Sequence, residues 1–155
     1  MKKTCGYFME LAIEEAKNAG LRGSVPVGAV IVYHNDVQSA AGNETIRSCD
    51  PTAHAEILAI QRACASLGSC ILEECDMFVT LEPCAMCAQA ISLSGIRRLY
   101  FGAYDIKCGA IEHGPRVFKF SQRRVDVVGG IRETECGDLL RIFFREIRQQ
   151  KQATV

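Results

Sequence analysis

Two short segments, His54-Ala55-Glu56 and Pro83-Cys84-Ala85-Met86-Cys87, constrain this chain more than any other feature of it. Residues i and i+3 on a helix share one face, with Cβ atoms about 5–6 Å apart. Cys84 and Cys87 stand in that relation, which suits two sulfurs sharing one zinc ion at about 2.3 Å each. The first turn of a helix also favours thiolate over thiol. His54 stands in a comparable start, so the chain has to fold with two helix N-termini aimed at one ion. Loops at the edge of an open α/β sheet place ligands in this way. His54 and Glu56 are turned about 200° apart on a regular helix, so they converge only off the axial end of a helix start. Asp50-Pro51-Thr52 supplies such a start, with Asp50 or Thr52 as the cap.

Three protein ligands leave a fourth tetrahedral position for water, the mark of a catalytic and not a structural zinc. Two thiolates and a neutral imidazole make the ion formally neutral, so it acidifies its water weakly and a nearby base is useful. Glu56 is that base. The expected chemistry is attack of a zinc-bound hydroxide on an electron-poor ring carbon bearing an amino group. Glu56 then carries the proton to the ring nitrogen and to departing ammonia.

The rest of the pattern is α/β. Thr4 caps a helix to about Ala19, which Gly20 ends; Val27–Tyr33 and Val37–Ala41 are strands joined at His34-Asn35-Asp36. A helix runs to about Leu67, burying Ile57, Ile60, Cys64 and Leu67, and Gly68 ends it. Met77–Leu81 is a strand, Cys84–Leu93 a helix, Arg98–Phe101 and Val125–Val128 strands, and Thr134 to about Gln150 the last helix. A hairpin followed by alternating strands and helices predicts a three-layer α/β/α architecture around a mixed, roughly five-stranded sheet. The crossovers through 52–67 and 84–93 are expected to join parallel neighbours.

A length of 155 residues and the absence of repeats or linkers fit one domain, 1–155. No apolar run approaches the roughly 20 residues of a membrane helix. Glu10, Glu14 and Glu15 interrupt the N-terminal segment, which reads as an amphipathic helix and not a secretory signal. Nine cysteines without an export signal point to reduced thiols and a cytoplasmic setting. Zero net charge excludes a uniformly basic nucleic-acid binder. The charge is uneven, however: residues 1–111 carry nine basic and twelve acidic groups, and residues 112–155 nine and six. Arg141, Arg145 and Arg148 form a stripe on the last helix, and Arg116, Lys119, Arg123 and Arg124 interleave with Phe118 and Phe120. Such groups can hold phosphates and stack bases. His34 and His113 read as surface or loop residues.

H-x-E…P-C-x-x-C is a signature of zinc nucleobase deaminases. Beyond that motif, the segments Val25–Val30, Asp50–Glu56, Leu81–Cys87, Phe101–Ala103 with Asp105, Lys107, Gly109 and Ala110, and Glu135-Cys136 with Leu139, Leu140, Phe143, Phe144 and Arg145 resemble the bacterial tRNA-specific adenosine deaminases. These belong to the cytidine/deoxycytidylate deaminase-like zinc superfamily. The resemblance covers nearly the whole chain. It implies a cytidine deaminase-like fold and conversion of adenosine to inosine at the wobble position of a tRNA anticodon loop. It implies one zinc per subunit on His54, Cys84 and Cys87, and a proton shuttle at Glu56. Asn43 then matches a nucleoside-contacting asparagine, Val27 and Ala55 match base-pocket positions, and a homodimer carries the RNA. Residues 111–124 depart from the family pattern and are about two residues shorter.

Other readings share the motif. A free-base or nucleoside deaminase acting on guanine, cytosine or cytidine needs the same hydroxide. A non-catalytic zinc-stabilised RNA-binding module has no use for Glu56.

Overall fold

β-Branched and aromatic residues alternate between two buried environments along the central strands, and this alternation builds a sheet covered on both faces. The computed structural model describes residues 2–154. The elements run α1 (Cys5–Leu21), β1 (Gly28–Tyr33), β2 (Asp36–Gly42), α2 (Ala55–Leu67), β3 (Cys75–Leu81), α3 (Ala85–Ser94), β4 (Arg98–Ala103), a short 3-10 turn (Val117–Phe120), β5 (Asp126–Val128) and α4 (Glu133–Ala153). Ala29 and Ile31 of β1, Met77 and Val79 of β3, and Leu99 and Phe101 of β4 face α2 and α3. Val30, Val32, Phe78 and Tyr100, their neighbours in sequence, face α1 and the start of α4. That is the period-two signature of a sheet buried on both sides. The expected three-layer α/β/α architecture is what the chain adopts.

The sheet is mixed, in the order β2-β1-β3-β4-β5. β3 pairs parallel with β4, as the α3 crossover predicts, and β4 pairs parallel with β5. The α2 crossover is different. β1 pairs antiparallel with both β2 and β3. The hairpin folds β1 inward, so α2 carries the chain from β2 over β1 to β3. The two strands that α2 joins run in the same direction but are not neighbours, which corrects the expected parallel pairing there.

Helix bounds differ from the sequence reading for identifiable reasons. α1 continues through Gly20 to Leu21, and the chain turns at Gly23, whose φ of +82° is the left-handed geometry glycine tolerates. Gly28 is needed for contact. A Cβ there would meet the Ala12 carbonyl and lie 2.6 Å from the Ala16 nitrogen, so α1 rests on bare strand backbone. On α2 the fully buried stripe is Ala55, Ala59 and Ala63. Ile57, Ile60, Cys64 and Leu67, the expected core residues, are only partly buried. Small side chains let this helix sit close to the sheet, and the larger ones splay to its flanks. α4 buries only Cys136 fully. Among the described residues no helix is long and apolar enough to cross a membrane.

Candidate metal centre and base pocket

β3 and β4 end at the same edge of the sheet, and the loops that leave this edge carry the predicted ligands. α2 begins at Ala55 and not at Asp50-Pro51-Thr52. Asp50 instead closes its own turn, where its Oδ1 accepts the Thr52 N–H (2.8 Å) and Oγ1–H (2.7 Å). His54 becomes the N-cap residue of α2, with extended backbone and no capping bond from its side chain. Cys84 occupies the same position at α3, again extended and without a capping bond. Both N-caps are thus released from ordinary capping duty. Their side chains turn toward each other across the gap between the two helix starts.

The Nδ1 atom of His54 lies 3.7 Å from Cys84 Sγ and 3.5 Å from Cys87 Sγ. Tetrahedral ligands at zinc–nitrogen and zinc–sulfur bond lengths of about 2.0 and 2.3 Å stand about 3.6 Å apart. The donor atoms of all three residues lie within 4.8 Å of one another, and among the described residues no other His, Cys, Asp or Glu joins the group. The residues present therefore fit zinc in chemistry and in spacing, with one position left to a non-protein ligand. The two sulfurs are electrostatically unequal. The hydrogen bond from the Cys87 thiol holds the Cys84 thiol below its ordinary range, against the opposing effect of burial. The same bond, with burial, pushes the Cys87 thiol up. The Cys84 sulfur also raises His54 above the usual imidazole range.

Glu56 lies in the first turn of α2 and is buried. Desolvation lifts its carboxyl above the usual carboxylate range. It shares a cavity of about 200 Å³ with His54 and Cys84. Val27, Ala55 and Asn43 line the same cavity, so the predicted pocket residues come together. Asn43 is also the turn residue that its position after β2 suggests, because its Oδ1 accepts the Thr45 N–H (3.0 Å). Among the described residues its NH2 group has no partner, which leaves a donor at the pocket wall.

Two participants were not legible as such in the sequence. Glu82, the last residue before Pro83-Cys84, is only 1% exposed and lines the cavity. His113, read as plain surface or loop, places Nδ1 2.8 Å from Glu82 Oε2. The available signal was a charged residue at the end of an apolar strand, which must find partners when buried. Asp105 and Cys108, from the loop after β4, complete the wall.

The basic segment after residue 111 is mostly engaged within the chain. Arg123 pairs with Glu73 and Arg124 with Asp126, and Arg116 Nε donates to the Glu112 carbonyl. On α4, Arg141 pairs with Asp138. Arg145 and Arg148 have no ion-pair partner among the described residues, and they flank Phe144 in a surface groove.

Two sulfurs and an imidazole at zinc spacing, with an open position and a buried carboxyl beside it, belong to hydrolytic zinc chemistry. Residues 2–103 match the family model of the cytidine and deoxycytidylate deaminase zinc-binding region, and the chain belongs to that family. The tRNA-specific adenosine deaminase of Agrobacterium fabrum is 51% identical over 144 residues, 92% of this chain and 95% of that one, which places the chain among the tRNA-specific adenosine deaminases. A solved tRNA:A34 deaminase, studied for A-to-I editing at the wobble position, is 50% identical with a TM-score of 0.84. The match covers 86% of this chain and 98% of that one. The guanine deaminase of Nitrosomonas europaea shares the fold, with a TM-score of 0.78 at 24% identity over 90% of this chain and 84% of its own.

Proposed function

We propose that this chain hydrolyses the wobble adenosine of a tRNA anticodon loop to inosine and ammonia. The observation that carries the reading is Glu56, a buried carboxyl in the cavity of the His54–Cys84–Cys87 cluster but outside the cluster itself. A purely structural zinc would leave such a group without a task. The identity of 50–51% with proteins named for tRNA adenosine deamination supports the substrate.

In this reading His54, Cys84 and Cys87 hold one zinc ion per chain. Bound there, zinc supplies the Lewis acidity that makes water nucleophilic near neutral pH. Glu56 takes a proton from the attacking water and gives it to the ring nitrogen beside the carbon under attack. It then takes the second proton from the oxygen now bonded to that carbon and gives it to the amine as the carbon–nitrogen bond breaks, which leaves the carbonyl of inosine and free ammonia. A carboxyl raised by burial suits a group that must gain and lose a proton near neutrality. Val27 and Ala55 supply apolar walls, and Asn43 donates from its free NH2. The cavity admits a base and not a helix, so the nucleotide has to be extruded, which costs a few kcal/mol from an unpaired loop. Arg145, Arg148 and Phe144 offer a phosphate-binding and stacking face outside the pocket.

The same proposal treats residues 1–155 as one catalytic domain, because both cores share one sheet. It includes a homodimer. Met86 and Leu93 of α3 are exposed, Leu93 by 66%, and Phe120 from the adjoining 3-10 turn by 85%. Covering that apolar face with a second copy would remove it from water. All nine cysteines are free, which supports a reducing, cytoplasmic setting.

The test is ammonia release from an anticodon stem-loop with wobble adenosine, run beside guanine, cytosine, cytidine and adenosine. Turnover of the stem-loop alone, with KM rising as salt is added, is the expected result. Turnover of a free base or nucleoside without the stem-loop, or zinc binding with no ammonia from any of them, overturns the reading.

A further inference from the structure

The nine-residue segment from Asp105 to His113 carries two walls of the base pocket, Asp105 and Cys108, yet contains no helix or strand of its own. Its shape is set from outside by one side chain. Glu82 Oε2 accepts the Asp105 N–H at 3.0 Å and the His113 Nδ1–H at 2.8 Å. Glu82 Oε1 accepts three further N–H groups, from Ile111 (3.2 Å), Glu112 (2.8 Å) and His113 (3.0 Å). A single carboxylate therefore ties the two ends of the loop together and satisfies five donors. The side chain itself is fully shielded from water.

The loop closes around this anchor. Asp105 Oδ1 accepts the N–H groups of Lys107 (3.1 Å) and Cys108 (3.0 Å), and the Gly109 N–H returns to the Asp105 carbonyl at 3.0 Å. Ala110 donates to the Pro83 carbonyl at 2.9 Å, which joins the loop to the residue before Cys84. Gly109 packs directly on the anchor: a Cβ there would lie 2.6 Å from the Glu82 carboxyl carbon. A buried carboxylate with five donors is a costly arrangement that a loop of mere connection does not need.

We propose that Glu82 is the positioning residue for substrate, latching the 105–113 loop so that Asp105 and Cys108 meet the extruded nucleotide. The latch acts through the loop, without a place in the proton transfers assigned to Glu56. The inference rests on the reading of the cavity as the base pocket.

Glu82→Gln tests it by turning one acceptor oxygen into a donor that faces other donors. The variant is expected to keep one zinc per chain and to raise KM for the anticodon stem-loop about tenfold, with kcat within about threefold. Gly109→Ala, which keeps the carboxylate but pushes the loop off it, should reproduce that split. His113→Ala removes one bond of the five and should raise KM about threefold. Glu82→Asp, too short to span both ends, should not restore the wild-type KM. Wild-type KM in Glu82→Gln overturns the latch, as does loss of zinc in a folded variant. If Glu82→Gln does not fold, unchanged KM in both His113→Ala and Gly109→Ala overturns it, and a raised KM in either supports it. Wild-type protein without activity on the stem-loop would instead strike the proposed function, so the two failures are separable.

Discussion

Strand β3 begins at Cys75 and leads, three residues past its end, to Cys84, and the chain treats the two sulfurs in opposite ways. Cys75 is buried among the apolar residues under α2 and α3, and desolvation pushes its thiol up to about 11. Cys84 stands at a helix start with the Cys87 thiol and the His54 ring against it, and its thiol is held low. The amino acid is the same, and so is the strand. What differs is the donor field: one end of β3 closes into hydrocarbon, and the other opens onto N–H groups, an imidazole and a second sulfur. Reactivity here is a property of the sheet edge and not of the residue type.

Breaking the open end should have the largest effect. Cys87→Ala removes one of three ligands from a site with no protein substitute, so metal analysis should find well under one zinc per chain and ammonia release should vanish. Full zinc occupancy in that variant would refute the ligand set. Glu56→Gln should come next. It keeps zinc and the fold, and lowers kcat by about 10²–10⁴-fold, the range supplied by a positioned proton shuttle. Near-normal turnover would remove Glu56 from the chemistry. The closed end should respond on another scale. Cys75→Ala is expected to cost about 1 kcal/mol of stability by denaturant unfolding, with zinc content and kcat unchanged. A loss of zinc there would mean that the two ends are not independent.

The sequence makes short-range facts legible and long-range pairings obscure, and the site divides along that line. Cys84, Cys87, His54 and Glu56 could be read because spacings of two and three residues translate directly into helix-start geometry. The α3 crossover was legible for the same reason. Glu82 and His113 are 31 residues apart, and nothing local in either segment names the other. The pairing of β1 with β3 was hidden because periodicity reports which face a strand buries but not which strand lies beside it. α2 misled for a third reason. Ranking residues by hydrophobicity selects Ile57 and Ile60, whereas close helix–sheet packing selects Ala55, Ala59 and Ala63.

The finest test of the comparison reads the thiols themselves. Alkylation of the native zinc-loaded protein at pH 7, mapped by mass spectrometry, should label the exposed Cys5, Cys49, Cys70 and Cys108, and spare Cys75 and Cys136. Burial raises both of the spared thiols to about 11, so they lack thiolate as well as access. Cys84 should be protected by the metal and become the fastest-labelled residue once zinc is chelated, since its lowered thiol is already ionised at neutrality. Raising the pH from 7 to 9 should therefore leave the labelling rate at Cys84 unchanged. The sign at the closed end is the reverse of that for a lowered thiol. A folded value of about 11 against 9.0 in the free thiol means that the folded state holds its proton more tightly. That share of stability is complete below pH 9 and drains away toward pH 11. If Cys75 labels as fast as Cys84 after chelation, the two ends of β3 are chemically alike and the comparison fails.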